Sequence, residues 1–245
     1  MFKAISKNIL VLFSSLLLMG TSGFHHTEHN VFNSNSEIVE NAHRNLSSVE
    51  KSVRNAAVKV KRADGSYGSG TLLRIKDTIV VATAAHVVGD FKTFELIGQL
   101  NETIKGTIVY KHAKKDIAFI LPEKSMTSRK PMQFKPINRR KNQVGNRITY
   151  TGFPNEHNLL TIRGSIAGYD HKEDVLLIQS FAWMGSSGSG VFDLSGRFIG
   201  VVSAIDVGVA YYPQLIETMV WISPSWNVSE SVILDKIKNK DEDKK

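Results

Sequence analysis

From residue 57 onward the chain breaks into short β-rich runs set apart by Gly, Asp and Asn, and this rhythm limits the fold more than any other feature. The runs are 57–61, 70–75, 78–83, 93–96, 104–110 and 117–121, then 147–151, 160–167, 175–179, 191–193, 198–204 and 218–222. Short Val-, Ile- and Thr-rich segments bounded by turn residues read as strands, and many of them at such spacing predict an antiparallel barrel or sandwich. The twelve runs divide into six over 57–122 and six over 146–224. Between the sets lies 123–145, rich in Lys, Arg, Pro, Ser and Asn, which reads as a solvated connector.

The remaining segments are simpler. Lys3 and Lys7 precede an uncharged apolar stretch from Ile9 to Met19, with Gly20, Thr21, Ser22 and Gly23 after it. A basic start, a short apolar run and a small-residue end predict a secretory signal peptide over 1–23. A spanning helix needs roughly 20 apolar residues. The expected location is therefore the periplasm or the medium of a bacterium, or the membrane surface if the signal stays uncut. Residues 24–36 are polar and aperiodic; His25, His26, Glu28 and His29 are of metal-binding type, but such a terminus is ordinarily just solvated. Ile38, Ala42, Leu46, Val49 and Val53 recur at spacings of three and four, one apolar face of a helix ending before residue 57. Asn227 with Glu230 resembles a capping box opening a short C-terminal helix, followed by a charged tail within 225–245.

The chain contains no Cys, which excludes disulfides, thiolate metal sites and a cysteine nucleophile. Its chemistry concentrates at Ala182-Trp-Met-Gly-Ser-Ser-Gly-Ser-Gly-Val-Phe192. GSSGSG could be a linker, but here it is framed by two core-like segments. Glycines flanking a serine allow a tight turn that presents a hydroxyl and aims neighbouring N–H groups. Acyl transfer needs both a nucleophile and donors for the oxyanion. A serine also needs a base. Of the eight His residues, His86 alone follows an apolar strand and two alanines. Asp116 opens the run Asp116-Ile-Ala-Phe-Ile-Leu121 and can supply an orienting carboxylate. Each residue alone is a weak signal. Their order, His then Asp then Ser, matches one known triad geometry.

Three segments together resemble the signatures of trypsin-like serine proteases: Thr83-Ala-Ala-His86-Val-Val, Asp116-Ile-Ala-Phe-Ile and Gly185-Ser-Ser187-Gly-Ser-Gly. The likeness is to the disulfide-free bacterial branch, which includes the Deg/HtrA proteases and the glutamyl endopeptidases. Gly68-Ser-Gly-Thr-Leu-Leu and Gly145-Asn-Arg-Ile-Thr-Tyr-Thr-Gly-Phe-Pro154 add to it, and it runs from about Val58 to about Pro224. The resemblance implies an all-β fold of two six-stranded antiparallel barrels. It implies a serine endopeptidase with catalytic His86, Asp116 and Ser187, and an oxyanion hole from the N–H groups of Gly185 and Ser187. It implies no cofactor or metal, and protein or peptide substrates. Ser186 and Ser189 compete as nucleophile only if the turn is shifted.

Two departures are expected to matter. Ser186 stands where digestive proteases carry the acid that pairs with a newly cut N-terminus, so that activation route is not expected. A Deg/HtrA protein would continue into a PDZ domain, which is not expected here. By resemblance the primary pocket is formed by Phe181, Ala182, Ser203, Ala204 and Ile205. Phe181 occupies the position of a trypsin's pocket acid, and Val202 that of a glutamyl endopeptidase's His. Small or medium apolar side chains are therefore the expected preference.

The alternatives are a catalytically silent protease fold that only binds, a nucleic-acid-binding domain, and a serine esterase of the α/β-hydrolase kind. The esterase would need Ser before Asp and His, with alternating helices. The nucleic-acid reading rests on a formal charge of +8, and no RNA- or DNA-binding motif supports it. Lys124, Arg129, Lys130, Lys135, Arg139, Arg140, Lys141 and Arg147 account for eight positive charges in a stretch without Asp or Glu. The charge therefore marks one segment, a solvated linker or a surface for anionic polymers or headgroups.

Overall fold

A computed structural model describes residues 45–138, 143–209 and 213–242. The expected signal segment, the His-containing lead-in, most of the first predicted helix and residues 139–142 of the connector lie outside the described residues. Helix α1 spans Ser48–Ala56, with Val53 and Ala56 buried along the face that the periodicity marks. Glu50 lies on that helix, only 3 % exposed, and accepts hydrogen bonds from the Arg163 guanidinium, one through Nε and one through Nη2 at 3.1 Å.

The first barrel contains β1 (Ala57–Lys61), β2 (Tyr67–Ile75), β3 (Thr78–Thr83), β4 (Thr93–Ile97), β5 (Thr103–Lys111) and β6 (Ala118–Pro122). Their order is β1-β4-β5-β6-β3-β2, and pairing of β1 with β2 closes it. A short strand β7 (Met132–Gln133) runs parallel to the outer edge of β2. The second barrel contains β8 (Arg147–Gly152), β9 (Leu160–Asp170), β10 (Val175–Gln179), β11 (Gly190–Asp193), β12 (Phe198–Val209) and β13 (Pro213–Pro224), closed in the order β10-β13-β12-β11-β8-β9. Two six-stranded antiparallel barrels are thus present, as the twelve runs predict.

Successive residues of a strand face opposite sides, and here both sides are buried. Leu72, Val81 and Ile120 fill the first barrel with Val58, Val60, Phe94 and Leu96. Their neighbours Leu73, Val80, Ala82 and Phe119 point outward, against Phe134, Phe192, Phe198, Val228, Ile233 and Ile237. That second cluster joins strands of both barrels to helix α3 (Glu230–Glu242).

Three expectations change. The 123–145 stretch is not a simple solvated linker. Phe134 and Ile137 are buried, the Phe134 N–H donates to Arg74 O at 3.0 Å, and the Ile137 N–H donates to Ser225 Oγ at 3.1 Å. Arg129 is only 7 % exposed and donates from Nη1 to Arg54 O at the end of α1. Met126, Phe134 and Ile137, buried among many basic residues, tie the segment to both barrels. Second, the C-terminal helix starts at Glu230, with Ser229 Oγ accepting from the Val232 N–H at 3.4 Å, so the cap is Ser229 and not Asn227. Third, β12 and β13 extend beyond the predicted 198–204 and 218–222. Their register slips between Ile205 and Asp206, which leaves Glu217–Met219 outside the ladder.

Candidate active site

His86 sits on α2 (Ala85–Val88), a single turn that directly follows β3. Gly89 ends it at φ +53°, returning its N–H to Ala85 O. Ala84, Ala85, Val87 and Val88 all pack into the first barrel's core. The turn thereby fixes His86, whose side chain stays 32 % exposed. Asp116 lies in the loop just before β6. Its Oδ1 accepts the His86 backbone N–H at 2.8 Å, and its Oδ2 accepts His86 Nδ1 at 2.8 Å. A third donor comes from the second barrel: Ser203 Oγ, 2.5 Å from Oδ2. An ionised carboxylate only accepts, so Nδ1 donates to Asp116 and Nε2 lies on the opposite side of the ring. Burial is the largest influence on Asp116 and acts to raise its pKa. The His86 charge, the bonds from the His86 ring and Ser203, and the His86 backbone N–H together outweigh it and hold the carboxyl below its ordinary value.

Ser187 lies in a turn whose shape depends on two glycines. The Ser186 N–H closes the turn onto Trp183 O at 2.9 Å, with Gly185 at φ +93° in the position that demands a positive φ. Gly188 stands at φ +87°, and a Cβ there would lie 2.1 Å from Ser69 O and 2.3 Å from Thr83 Oγ1. The turn is thus pressed against the end of β3, immediately ahead of His86. The Gly188 N–H also bonds Val202 O at 2.8 Å, next to the Ser203 that holds Asp116. Loops from both barrels therefore converge on His86, Asp116 and Ser187.

Three carbonyls of the candidate oxyanion turn are held from outside it. Met184 O accepts the Asn155 N–H at 2.6 Å, Gly185 O accepts Ser69 Oγ at 2.7 Å, and Ser187 O accepts the Ser69 N–H at 2.8 Å. In a trans peptide the C=O and N–H point in opposite directions, so the Gly185 N–H points away from Asn155. Among the described residues, neither the Gly185 nor the Ser187 N–H has an acceptor. The three serines of the turn also separate. Ser186 Oγ accepts the Trp183 N–H at 3.2 Å, Ser189 is fully buried, and Ser187 keeps 7 % exposure.

The predicted pocket residues are brought together. The Ala182 N–H bonds Glu217 O at 3.1 Å and the Ser180 N–H bonds Thr218 O at 3.1 Å, so the segment carrying Phe181 and Ala182 faces the bulge that the slipped β12–β13 register creates. Ala204 pairs with Trp221 and Ile205 with Val220 across that ladder. Phe181 is 41 % exposed, whereas Ala182, Ala204 and Ile205 are buried. Ser203 is turned toward Asp116, which removes its hydroxyl from the pocket inventory. Below this segment Tyr150 is fully buried and donates its hydroxyl to Phe181 O. Burial pushes that phenol's pKa strongly upward, and a hydrogen bond with Ser186 opposes the shift only partly.

The roles of Ser69, Tyr150, Asn155 and Ser203 in holding this site are absent from the sequence reading. Ser69 and Tyr150 lie in segments that carry the family likeness, Gly68-Ser-Gly-Thr and 145–154, while Ser203 was expected only as a pocket residue. All four act through backbone atoms or cross-barrel contacts that no local pattern encodes.

Residues 68–201 match the trypsin-like peptidase domain. An HtrA-like serine protease of Staphylococcus epidermidis is 24% identical over 222 residues, covering 80% of this chain and 38% of that protein. Its namesake in Staphylococcus aureus is 27% identical over 188 residues, covering 68% of this chain and 24% of that protein. The chain thus spans well under half the length of these curated relatives. Among solved structures, the serine endoprotease from Yersinia pestis aligns with a TM-score of 0.59 at 20% identity, over 77% of this chain and 68% of that one. An inactive mutant of Rv3671c from M. tuberculosis H37Rv aligns with a TM-score of 0.58 at 20% identity, over 78% and 91%. At such identities these structures support the shared fold.

Proposed function

Because the chain belongs to the trypsin-like peptidase family, we propose that it is a serine endopeptidase that works through His86, Asp116 and Ser187. Ser187 Oγ attacks the scissile carbonyl carbon while His86 Nε2 takes its proton. The oxyanion is met by the N–H groups of Gly185 and Ser187. Collapse of the tetrahedral species expels the amine, which receives that proton, and leaves an acyl group on Ser187. Water then repeats the sequence with His86 again as base and releases the acid. Asp116 holds the imidazole tautomer and stabilises the imidazolium. The observation that carries this reading is the His86–Asp116 pair, built by three donors at 2.5–2.8 Å, at the foot of a turn with two unclaimed N–H groups. A fold kept only for binding has no use for that arrangement.

The pocket reading follows from its lining. With Ser203 committed to Asp116, the walls offer Phe181, Ala182, Ala204 and Ile205, which favours small or medium apolar side chains on the acyl side of the cleaved bond. The substrates are proteins or peptides, and the N-terminal segment directs export. Digestion of casein and of a mixed peptide library by the purified protein, read by mass spectrometry, tests this. Cleavage concentrated after residues such as Ala, Val and Leu is expected. A protein that cuts neither casein nor any library peptide overturns the endopeptidase reading, and cleavage confined to Lys, Arg or Glu overturns the pocket assignment.

A further inference from the structure

The first barrel supplies His86 and Asp116, yet it also reaches into the oxyanion turn of the second barrel through one hydroxyl. Ser69, on β2, is fully buried. Its Oγ donates to Gly185 O at 2.7 Å and accepts the Phe153 N–H at 3.0 Å. A hydroxyl has one hydrogen to give, so with the Phe153 donor in place its direction is settled. The Ser69 backbone N–H meanwhile holds Ser187 O at 2.8 Å, and Ser69 O accepts Thr83 Oγ1 at 2.7 Å. One residue therefore grips the carbonyls on both sides of Ser186. Two residues on from Phe153, the Asn155 N–H holds Met184 O at 2.6 Å. The segment 153–155 thus secures two successive carbonyls of the turn, one directly and one through the Ser69 hydroxyl.

We propose that Ser69 is a positioning residue for oxyanion stabilisation, a side-chain latch on the Gly185–Ser186 peptide, which lies between the Gly185 and Ser187 N–H groups. The proposal rests on the acyl-transfer reading of that turn. Its logic is dehydration. Without the hydroxyl, Gly185 O and the Phe153 N–H both lose their partner in a fully buried place. Unpaired buried groups of this kind are costly. The turn relieves that cost by rotating the Gly185–Ser186 peptide, and that rotation shifts the N–H groups of Gly185 and Ser187 on either side of it off the reacting oxygen. The position before the nucleophile is Ser186, with no carboxylate to pair with a cut N-terminus. Ser69 takes over that task from inside the folded chain, so the oxyanion turn is set by folding alone.

The test is Ser69→Ala in the full chain, assayed with a peptide amide and with two inhibitors of the same sequence, a peptide aldehyde and the matching alcohol. The aldehyde's hemiacetal oxygen occupies the oxyanion position, whereas the alcohol reports only on the pocket. The variant is expected to lose about 10- to 100-fold in kcat, the scale of a small misplacement at a reacting centre, with KM within about twofold. Aldehyde affinity is expected to fall in step with kcat while alcohol affinity holds. Ser69→Thr, which keeps the hydroxyl, is expected to recover most of the lost kcat. Ser69→Cys, close in size but a weak donor, gives the same reading should the Ala variant not fold. A folded Ala or Cys variant with unchanged kcat overturns the proposal and leaves the endopeptidase reading standing. So does equal loss of aldehyde and alcohol affinity. A wild-type protein that hydrolyses no peptide overturns both.

Discussion

Replacing Ser203 with Ala removes one of the three hydrogen bonds that Asp116 accepts, the one at 2.5 Å from the second barrel. The acceptor is ionised and its side chain is only 15 % exposed, so little solvent screening applies. A hydrogen bond to such a charged group contributes about 1.5–3 kcal/mol, and the variant should lose that much unfolding free energy near neutral pH. The loss should depend on pH in a defined sense. The folded-state carboxyl is held below its ordinary value, so its stabilisation is fully present above the ordinary carboxylate range and drains away as pH falls through the folded-state pKa. Denaturant titrations of wild type and variant at pH 7 and again at progressively lower pH measure this. The gap between the two should be widest at neutral pH and close in acid. The same change loosens the carboxylate that orients His86, so kcat should fall by up to the same free energy, about ten- to a hundredfold. Equal stability at pH 7 would refute the assignment of Ser203 to Asp116. A gap that persists undiminished in acid would show that the loss comes from packing.

Two further outcomes follow from other parts of the molecule. Gly188→Ala forces a side chain onto φ +87° and sets a Cβ 2.1 Å from Ser69 O; left-handed strain and overpacking together cost about 2–5 kcal/mol. Its melting temperature should fall by more than about 4 °C, and an unchanged value in scanning calorimetry would mean that the turn is not pressed on β3 as described. In the connector, Arg129 is buried, which leaves the neighbouring basic residues to carry any surface for anions. Replacing Arg139, Arg140 and Lys141 with Gln should lower the salt needed for elution from heparin, whereas unchanged retention would assign the segment no such role.

The barrel architecture was legible because strands buried on both faces leave short, nearly continuous apolar runs set apart by turn residues. β1, β3 and β10 match their predicted spans. His86, Asp116 and Ser187 stand out in the sequence because each sits beside a strand end or a glycine pair that sequence displays directly. The long β12–β13 arms were missed because exposed residues such as Gln214 and Glu217 break the apolar alternation there. The connector was misjudged because Met126, Phe134 and Ile137 are scattered among charges, and a few apolar contacts suffice to bury a segment that composition marks as solvated. The Ser203–Asp116 and Ser69–Gly185 bonds join residues 87 and 116 positions apart. Such long-range pairs arise from barrel docking, and one sequence holds no record of them.

The central claim is that Ser187 is the nucleophile and His86 its base. Treatment with a fluorophosphonate, followed by peptide mapping, measures it most directly. A single covalent adduct on Ser187 Oγ is expected, absent in Ser187→Ala and formed far more slowly in His86→Ala. An unlabelled wild type, or an adduct on Ser186 or Ser189, would contradict it.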